Sequence, residues 1–293
     1  MALMRIATFS IVAHDPESEE WGVAVASKFL AAASVVPWAK AKVGAIATQA
    51  LANIGYGPDG LEQLSAGSSA QEVVDALTAA DDDAENRQVG IVDSKGQAAT
   101  FTGSSCFDWA GGIAGDGYSV QGNILTGPEV VEAMKEAFVS TPGDLADRML
   151  EALIAGDRAG GDSRGRQSAG ILVAREGGSY GGFTDKALDL RVDDHPDPVP
   201  ELHRLRGLHR LYLEKPSPDD LVDLTDELIL EIKQGLAGLG FLEGDENGFG
   251  EATQKALQGF MGIENLEMRW ADDEKVDRHV LRFLRDKAAG VGS

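Results

Sequence analysis

Short apolar runs rich in small residues predict β-strands through the first half of the chain. Residues 6–13 (IATFSIVA) and 22–26 (GVAVA) flank a polar turn around Asp15 and Pro16, which is the pattern of a hairpin with a long loop. Residues 43–50 (VGAIATQA) predict a third strand whose small side chains suit a tightly packed sheet. The start of the chain therefore predicts strands that pair with their neighbours in sequence.

Capping residues and helical spacing place helices between these strands. Ser69 followed by Glu72 has the pattern of a capping box, Pro128 can begin a helix, and Asp144 can cap one that runs to about residue 155. A second hairpin is expected around Lys95, and residues 118–123 and 171–174 predict further strands. Strand pairs separated by helices predict an α+β fold built in layers rather than alternating parallel units.

The composition changes near residue 192. The run DDHPDPVPE is rich in proline and acidic residues, which is typical of a linker or a domain edge. Leucines at three-residue spacing then predict a helix that ends at residue 213, and an acidic helical segment follows the second break, KPSPDD. We therefore expect two domains, residues 1–213 and residues 214–293.

Charge and composition exclude several classes of function. The 293 residues include 48 acidic and 26 basic side chains, a net charge of −22, which disfavours binding to nucleic acid or to anionic membranes. The single cysteine, Cys106, cannot form an internal disulfide, and no histidine or cysteine spacing is typical of a metal site. No metal or cofactor is predicted. No apolar run reaches the roughly 18–20 residues of a membrane helix, and we expect a soluble, cytoplasmic protein.

Thr8, at the head of the first strand, is the first candidate for chemistry. As a strand residue it needs no special explanation, because threonine is common in strands. If the bond between Ala7 and Thr8 were cleaved, however, Thr8 would carry a free α-amino group beside its own hydroxyl. Such an amine can serve as the base that activates the hydroxyl as a nucleophile.

Other candidates lie close to the ends of the predicted strands. Lys28, Lys40 and Lys42 could lower the pKa of a nearby amine or hydroxyl, or could be ordinary surface lysines. Asn123 could donate to an oxyanion, or could belong to a simple turn. A glycine-rich loop could grip a substrate carboxylate through its arginines, or could be a surface loop; its candidate residues are Asp162, Arg164, Arg166, Gln167 and Ser168.

At these residues the sequence resembles a known family. TFSIVAHDPESEEWGVAVASKFLAAASVVPWAKAKVGAIATQALAN, TGSSCFDWAGG, QGNILTGPEVVEAM and GGDSRGRQSA are similar to the bacterial and archaeal domain-of-unknown-function 1028 family, over about residues 6–213. That family is placed in the Ntn-hydrolase-like (N-terminal nucleophile) superfamily. The resemblance implies a four-layer αββα sandwich like that of proteasome β subunits. It also implies amide hydrolysis by an N-terminal Thr, Ser or Cys.

Carried onto this sequence, the resemblance puts Thr8 at the nucleophile position, which requires internal processing. It implies that one of Lys28, Lys40 or Lys42 assists, and leaves open which one. Asn123, or a backbone amide within residues 48–50, would be the oxyanion donor. The loop residues Asp162 to Ser168 would support the site and its substrate. The implied substrate is a small amide or peptide; the alternative is a noncatalytic assembly or binding protein on the same fold.

The segment from about residue 220 to 289 resembles a peptidoglycan-binding domain. The stretch LAGLGFLEGDENGFGEATQKALQGFMG carries the resemblance, with a glycine-rich loop around Gly244 and Gly248 between two helices. This implies a peptidoglycan fragment or a protein as partner, and folds of this kind also serve as plain helical packing modules. A cell-wall hydrolase is a third interpretation, which the missing export signal opposes. We also expect a homo-oligomer.

Overall fold

The computed structural model describes residues 8–243, 248–271 and 274–290. The chain forms two compact units that divide after Leu205. This division falls inside the helix Pro198–Leu213, whereas the sequence predicts a boundary after that helix. Residues 6 and 7 of the predicted first strand, and Gly244 of the predicted glycine-rich loop, lie outside the described residues.

The first unit alternates strand pairs with helix pairs, as the sequence order predicts. Its elements, in chain order, are β1 Thr8–Asp15, β2 Glu20–Ser27, β3 Pro37–Lys40, β4 Gly44–Ala50, α1 Tyr56–Ser65, α2 Ala70–Ala79, β5 Arg87–Asp93, β6 Ala98–Thr102, β7 Gly111–Gly115, β8 Tyr118–Asn123, α3 Glu129–Ser140, α4 Leu145–Arg158, β9 Ser168–Ala174, β10 Lys186–Val192 and the start of α5 Pro198–Leu213. The capping predicted at Ser69 and Asp144 is present, because Ser69 forms a capping box with Glu72 and the Asp144 carboxylate accepts from the amide of Asp147.

Two antiparallel sheets form the centre of this unit. The larger sheet has the strand order β10-β9-β2-β1-β8-β7, and the smaller has the order β3-β4-β5-β6. Strand β1 pairs along its length with β2 on one side and β8 on the other. The first strand is therefore central, and both of its neighbours can bring side chains to its ends.

Alternation along the strands separates two faces of the larger sheet. Phe9 and Ile11 face a core formed with helices α3 and α4, while Val12, Val23 and Val25 face the smaller sheet. Helices α1 and α2 cover the other face of the smaller sheet, over a core that includes Ile46, Val89 and Ile91. The four layers are helices, sheet, sheet and helices, which is the α+β sandwich that the sequence predicts.

The second unit is a small bundle with its own core. It contains β11 Leu221–Asp223, α6 Asp226–Gly238, α7 Glu251–Ile263, β12 Lys275–Asp277 and α8 Arg278–Ala288. Apolar side chains of the three helices pack together, among them Ile232, Leu236, Leu257, Phe260, Val280 and Leu284. The guanidinium of Arg269 is fully buried among them and pairs with the carboxylates of Asp277 (2.8 Å) and Asp220 (3.1 Å). This pairing compensates a charge that would be costly to bury alone.

Candidate active site

A row of polar side chains crosses the larger sheet at the end where β1 begins. The antiparallel register places Thr8 opposite Asn123 on β8 and opposite Ser27 on β2, and it places Ser27 opposite Ser168 on β9. Residues directly opposite each other in antiparallel strands direct their side chains to the same face. The Thr8 Oγ1 and Ser27 Oγ atoms are 3.2 Å apart, within hydrogen-bond distance. Thr8 is thus a buried residue with a hydroxyl partner on the next strand.

A buried network of amides continues from this row into the space between the sheets. The Ser10 hydroxyl donates to Gln49 Oε1 (2.7 Å), and Gln121 Nε2 donates to the Ser10 Oγ (2.6 Å). Gln49 Nε2 and Asn123 Nδ2 both donate to Gln88 Oε1, at 2.8 and 3.0 Å. All five side chains are almost completely buried. Because a buried amide without partners is destabilising, this connectivity holds each side chain in one orientation.

The network reaches the main chain of the candidate nucleophile. Gln49 Nε2 lies 3.4 Å from the carbonyl oxygen of Thr8. The strands that carry the network end in unusual backbone, since Ala50 after Gln49 and Ile124 after Asn123 have positive φ angles of 69° and 51°. Residues other than glycine in this left-handed region are uncommon, and they concentrate where the surrounding structure holds a required geometry.

A second cluster holds the loop that follows β4. Arg87 donates to the carbonyl of Leu51 and pairs with Asp81, which also accepts from Asn53 and from the Tyr56 hydroxyl. The hydrogen bond from Arg87 holds the pKa of the Asp81 carboxyl well below its usual range. Burial, followed by the hydrogen bond to Asp81, raises the pKa of Tyr56, which therefore remains a phenol. This cluster fixes the chain directly after Ala50.

Asp162 connects the loop of residues 160–168 to the ends of β2 and β8. Its side chain is nearly buried and accepts from the amide of Lys28 at 2.7 Å. It also accepts from the amide (2.9 Å) and the guanidinium (2.9 and 3.1 Å) of Arg164. Asp162 forms an isolated bridge with Leu125, just beyond β8. The carboxylate therefore organises the backbone beside the polar row.

A cleft opens beside this row, with a volume of about 480 Å³. Its lining residues are Phe9, Ala26, Ser27, Asp157, Arg158, Gly160, Asp162, Gly165, Arg166, Pro196, Pro198 and Val199. Ser27, the hydroxyl partner of Thr8, belongs to this lining, whereas Thr8 itself does not. A cleft of this size suits a small ligand.

The structure gathers most of the predicted site residues, and of the three lysines only Lys28 lies near them. Thr8, Asn123, Asp162, Arg164, Arg166 and Ser168 all lie at this end of the larger sheet. The Lys28 ammonium donates to the carbonyl of Arg166 at 3.2 Å. Lys42 pairs with Glu176, and Lys40 lies 3.3 Å from the Ser65 hydroxyl. None of these lysines bonds to the Thr8 hydroxyl.

For Lys40 the strand register explains the separation. Lys40 is paired with Gly44 at the start of β4, whereas the contact with Thr8 comes from Gln49 near its end. Five residues of extended chain span about 16 Å. Lys40 is therefore placed at the opposite end of the smaller sheet, and the structure does not bring it to the nucleophile.

The loop residues that were candidates for substrate binding are largely engaged within the protein. Arg164 is bonded to Asp162, and Arg166 pairs with Asp157 (2.7 Å) and Asp197 (3.2 Å). Gln167 donates to Asp194, and the Ser168 hydroxyl donates to the carbonyl of Phe29 and accepts from the amide of Ala32. These contacts hold the loop in place, and they occupy side chains that were candidates for substrate binding.

Sequence reasoning missed the interior amides. Gln49, Gln88 and Gln121 each stand alone among small or apolar residues in a short buried strand, within ATQA, RQVGIV and SVQGN. That isolation was a usable signal, because a polar side chain on the inward face of a strand needs partners across the sheet interface. Ser27 is also absent from the predicted site, although its hydroxyl is the group that meets Thr8.

The described residues contain no group of three or more His, Cys, Asp and Glu side chains that could hold a metal ion. Of the helices in the same ranges, none has the length and apolar character to cross a membrane. Cys106 donates to the carbonyl of Arg87, and burial raises the pKa of its thiol, so it is not a thiolate nucleophile at neutral pH.

The first unit is an α+β sandwich of four layers, with the buried Thr8 on a central strand of its larger sheet. The chain belongs to the family described as "Family of unknown function (DUF1028)", whose model matches residues 8–202. Residues 212–284 match a second model, described as "Putative peptidoglycan binding domain". No curated protein matches the chain.

A solved structure supports the family assignment. The crystal structure of protein SPO2555 from Silicibacter pomeroyi, also a member of the DUF1028 family, is 33% identical to this chain, with a TM-score of 0.64. The similarity covers 70% of this chain and 89% of that protein. The fold is therefore shared with a relative whose structure is known.

Proposed function

We propose that the first unit is an amide hydrolase of the N-terminal-nucleophile type, in which Thr8 becomes the first residue after cleavage of the Ala7–Thr8 bond. One observation carries the proposal. Thr8 lies on the central strand opposite the ends of both neighbouring strands, its hydroxyl lies 3.2 Å from that of Ser27, and Ser27 lines a cleft of ligand size.

The proposed chemistry needs no group beyond the chain and water. The free α-amine of Thr8 takes the proton of its hydroxyl, and Oγ1 attacks the carbonyl carbon of the substrate amide. The C–N bond breaks, the leaving amine receives the proton, and an ester forms on Thr8. Water then attacks the ester carbonyl with the amine again acting as base, which releases a carboxylic acid and restores the hydroxyl.

The surrounding groups fit roles of orientation and charge stabilisation. The Ser27 hydroxyl can fix the rotamer of Thr8 and relay a proton. Asn123, opposite Thr8 in the register, directs its amide nitrogen to Gln88 and can offer a second N–H hydrogen to an oxyanion. No lysine is assigned to activation, because the ammonium groups of Lys28, Lys40 and Lys42 are engaged elsewhere.

The first test is the intact mass and N-terminal sequence of the full chain after purification. We expect a chain that begins at Thr8, lighter by the mass of Met1 to Ala7. The matched variants are Thr8→Ala, which we expect to remain unprocessed and inactive, and Thr8→Ser, which keeps a hydroxyl and should be processed. A parent chain that begins at Met1 or Ala2 contradicts the proposal.

A second candidate function is a binding protein without catalysis. It is favoured by the engagement of all three lysines and by the burial of Thr8, which is 1% exposed. In that case Thr8 and Ser27 form a structural hydrogen bond, and Thr8→Val should leave ligand binding unchanged. The processing experiment separates the two candidates.

For the second unit we propose binding of a cell-wall fragment, supported by the family match over residues 212–284. A groove of about 450 Å³ in this unit combines the half-buried aromatic rings of Trp270 and Phe249 with the polar side chains of Gln254 and Asp226. Aromatic faces with a few polar groups are typical of sites for sugars and peptides.

Co-sedimentation of the full chain with insoluble peptidoglycan tests this second proposal. We expect the parent to sediment and Trp270→Ala to lose most of that binding. Ile263→Ser, which changes an exposed apolar residue at the end of α7 outside the groove lining, is the control. If both variants sediment with peptidoglycan as fully as the parent does, the groove is not the binding site.

A further inference from the structure

The cleft beside Thr8 is less acidic than the chain as a whole. The chain as a whole carries 48 acidic and 26 basic side chains. The charged residues that line the cleft are balanced, with two cations (Arg158 and Arg166) and two carboxylates (Asp157 and Asp162). The lining therefore does not share the acidic excess of the chain, which would repel an anion.

The carboxylates at the cleft are already compensated. Asp157 pairs with Arg166 at 2.7 Å. Asp162 is surrounded by donors, namely the guanidinium of Arg164 and the backbone amides of Lys28 and Arg164. Asp197 shares Arg166 at 3.2 Å. These pairs remove both arginines of the loop from the set that could hold a ligand.

Two cations at the cleft have no carboxylate partner. Within residues 8–205, four Lys and Arg side chains lack a carboxylate within 4.0 Å: Lys28, Lys40, Lys95 and Arg158. Arg158 is exposed and lines the cleft. Lys28 directly follows the lining residue Ser27, and its ammonium donates to the carbonyl of Arg166, which also lines the cleft. Two of the four uncompensated cations therefore converge on one cleft.

We propose that the cleft binds an amide that carries a carboxylate, such as a short acylated peptide with a free C-terminus, and that Arg158 and Lys28 hold the carboxylate. The inference rests on the proposed hydrolase function for the orientation of the amide toward Ser27 and Thr8. Guanidinium and ammonium groups both donate to carboxylates, and such charge-assisted hydrogen bonds are stronger than neutral ones. These two cations, which have no carboxylate partner, are thus the specificity-determining groups of the cleft.

Equilibrium binding to the full chain, as purified, tests this with two probes that differ by one charge. The probes are N-acetyl-alanyl-alanine with a free carboxylate and the same dipeptide as its C-terminal carboxamide. Calorimetry should give a dissociation constant about tenfold lower for the carboxylate, which corresponds to about 1.4 kcal/mol. Arg158→Gln and Lys28→Gln should each weaken carboxylate binding about five- to tenfold and leave carboxamide binding unchanged.

Lys95→Gln is the matched control, since it removes an exposed, unpaired cation in the same unit at the turn between β5 and β6. It should change neither constant. Arg158→Lys, which keeps the charge, should recover part of the affinity. Any of three results would overturn the inference. They are equal dissociation constants for the two probes, equal weakening of both probes by Arg158→Gln, and no saturable binding of the carboxylate up to about 10 mM.

The same samples, followed chromatographically for hydrolysis, separate this inference from the proposed function. A chain that binds the carboxylate selectively and never cleaves it keeps the inference and contradicts the hydrolase. A chain that cleaves both probes at equal kcat/KM keeps the hydrolase and contradicts the inference.

Discussion

The two ends of the interface between the sheets differ in composition, although the same strands build both. Toward one end, Val12, Val23 and Val25 of the larger sheet pack against Ala45, Val92 and other apolar residues of the smaller sheet. Toward the end where β1 begins, the facing side chains are Ser10, Gln49, Gln88, Gln121 and Asn123, joined by hydrogen bonds. The boundary between the two regions falls within two residues of β1, between Ser10 and Val12.

This difference separates stability from positioning. Apolar contacts are not directional and stabilise in proportion to the area that they bury. A buried amide network adds little net free energy, but it admits few alternative arrangements, because each broken bond leaves a polar group unsatisfied. We infer that the apolar end stabilises the sandwich and that the polar end fixes the geometry around Thr8.

The largest effect is expected at the apolar end. Trp21→Ala removes a buried indole that donates to the carbonyl of Asp93 at 3.1 Å. Truncation of a buried aromatic side chain costs about 3–5 kcal/mol, which urea denaturation of the full chain should measure. Trp21→Phe, which keeps a ring, is the control. A loss below about 1 kcal/mol would show that this end does not carry the stability.

Gln88→Leu tests the polar end. It removes the oxygen that accepts from both Gln49 and Asn123, and an unsatisfied buried donor costs about 1–3 kcal/mol. We expect a smaller stability loss than for Trp21→Ala, together with a larger loss of hydrolytic or binding activity. If Trp21→Ala reduces activity as strongly at a temperature where both variants are folded, the proposed division between the two ends is wrong.

Gly90→Ala tests whether the network depends on space left by a missing side chain. A Cβ atom at Gly90 would lie 2.1 Å from Oε1 of Gln121, whose amide is held by Ser10 and Ser119. Relief of that overlap must move a bonded side chain, and overpacking of this kind costs about 1–3 kcal/mol. Thermal unfolding of Gly90→Ala, compared with that of the double variant Gly90→Ala/Gln121→Ala, measures this loss of stability. Gln121→Ala should recover part of the stability that Gly90→Ala loses. If it recovers none, the strain does not lie at the contact with Gln121.

The smallest expected effect is a pH dependence at His14, whose ring stacks on Trp21 with 4.6 Å between centroids. Burial lowers the pKa of His14 below its ordinary value, which nearby carboxylates oppose only in part. The unfolded chain therefore binds a proton more readily than the folded one. Stability should fall as the pH drops below about 6.5 and should level off once the folded imidazole is also protonated.

Denaturation of the parent and of His14→Gln between about pH 7.5 and pH 5 isolates this contribution, because other titrating groups are common to both. The difference in the free energy of unfolding between the two chains should shift against the parent as the pH falls. A difference that is independent of pH would mean that His14 titrates alike in both states.

Much of the fold was predictable because local patterns agreed with the tertiary arrangement. Small apolar runs gave the strands, and Ser69 and Asp144 cap helices where the sequence predicts them. The candidate site was predictable only in part. Thr8, Asn123 and Asp162 stand at strand ends and are gathered there, whereas the choice among lysines needed the strand register, which separates Lys40 from Thr8.

The amino-acid sequence by itself determined the layered α+β class, the change of character near the second unit, and the placement of Thr8 in a strand. These depend on periodicity, capping and composition, which act over a few residues. Only the tertiary structure decided that Ser27 meets Thr8, that Arg164 and Arg166 are already paired, and that Arg158 is not. Such pairings join residues far apart in sequence, and charge neutralisation depends on distances in space that no local pattern encodes.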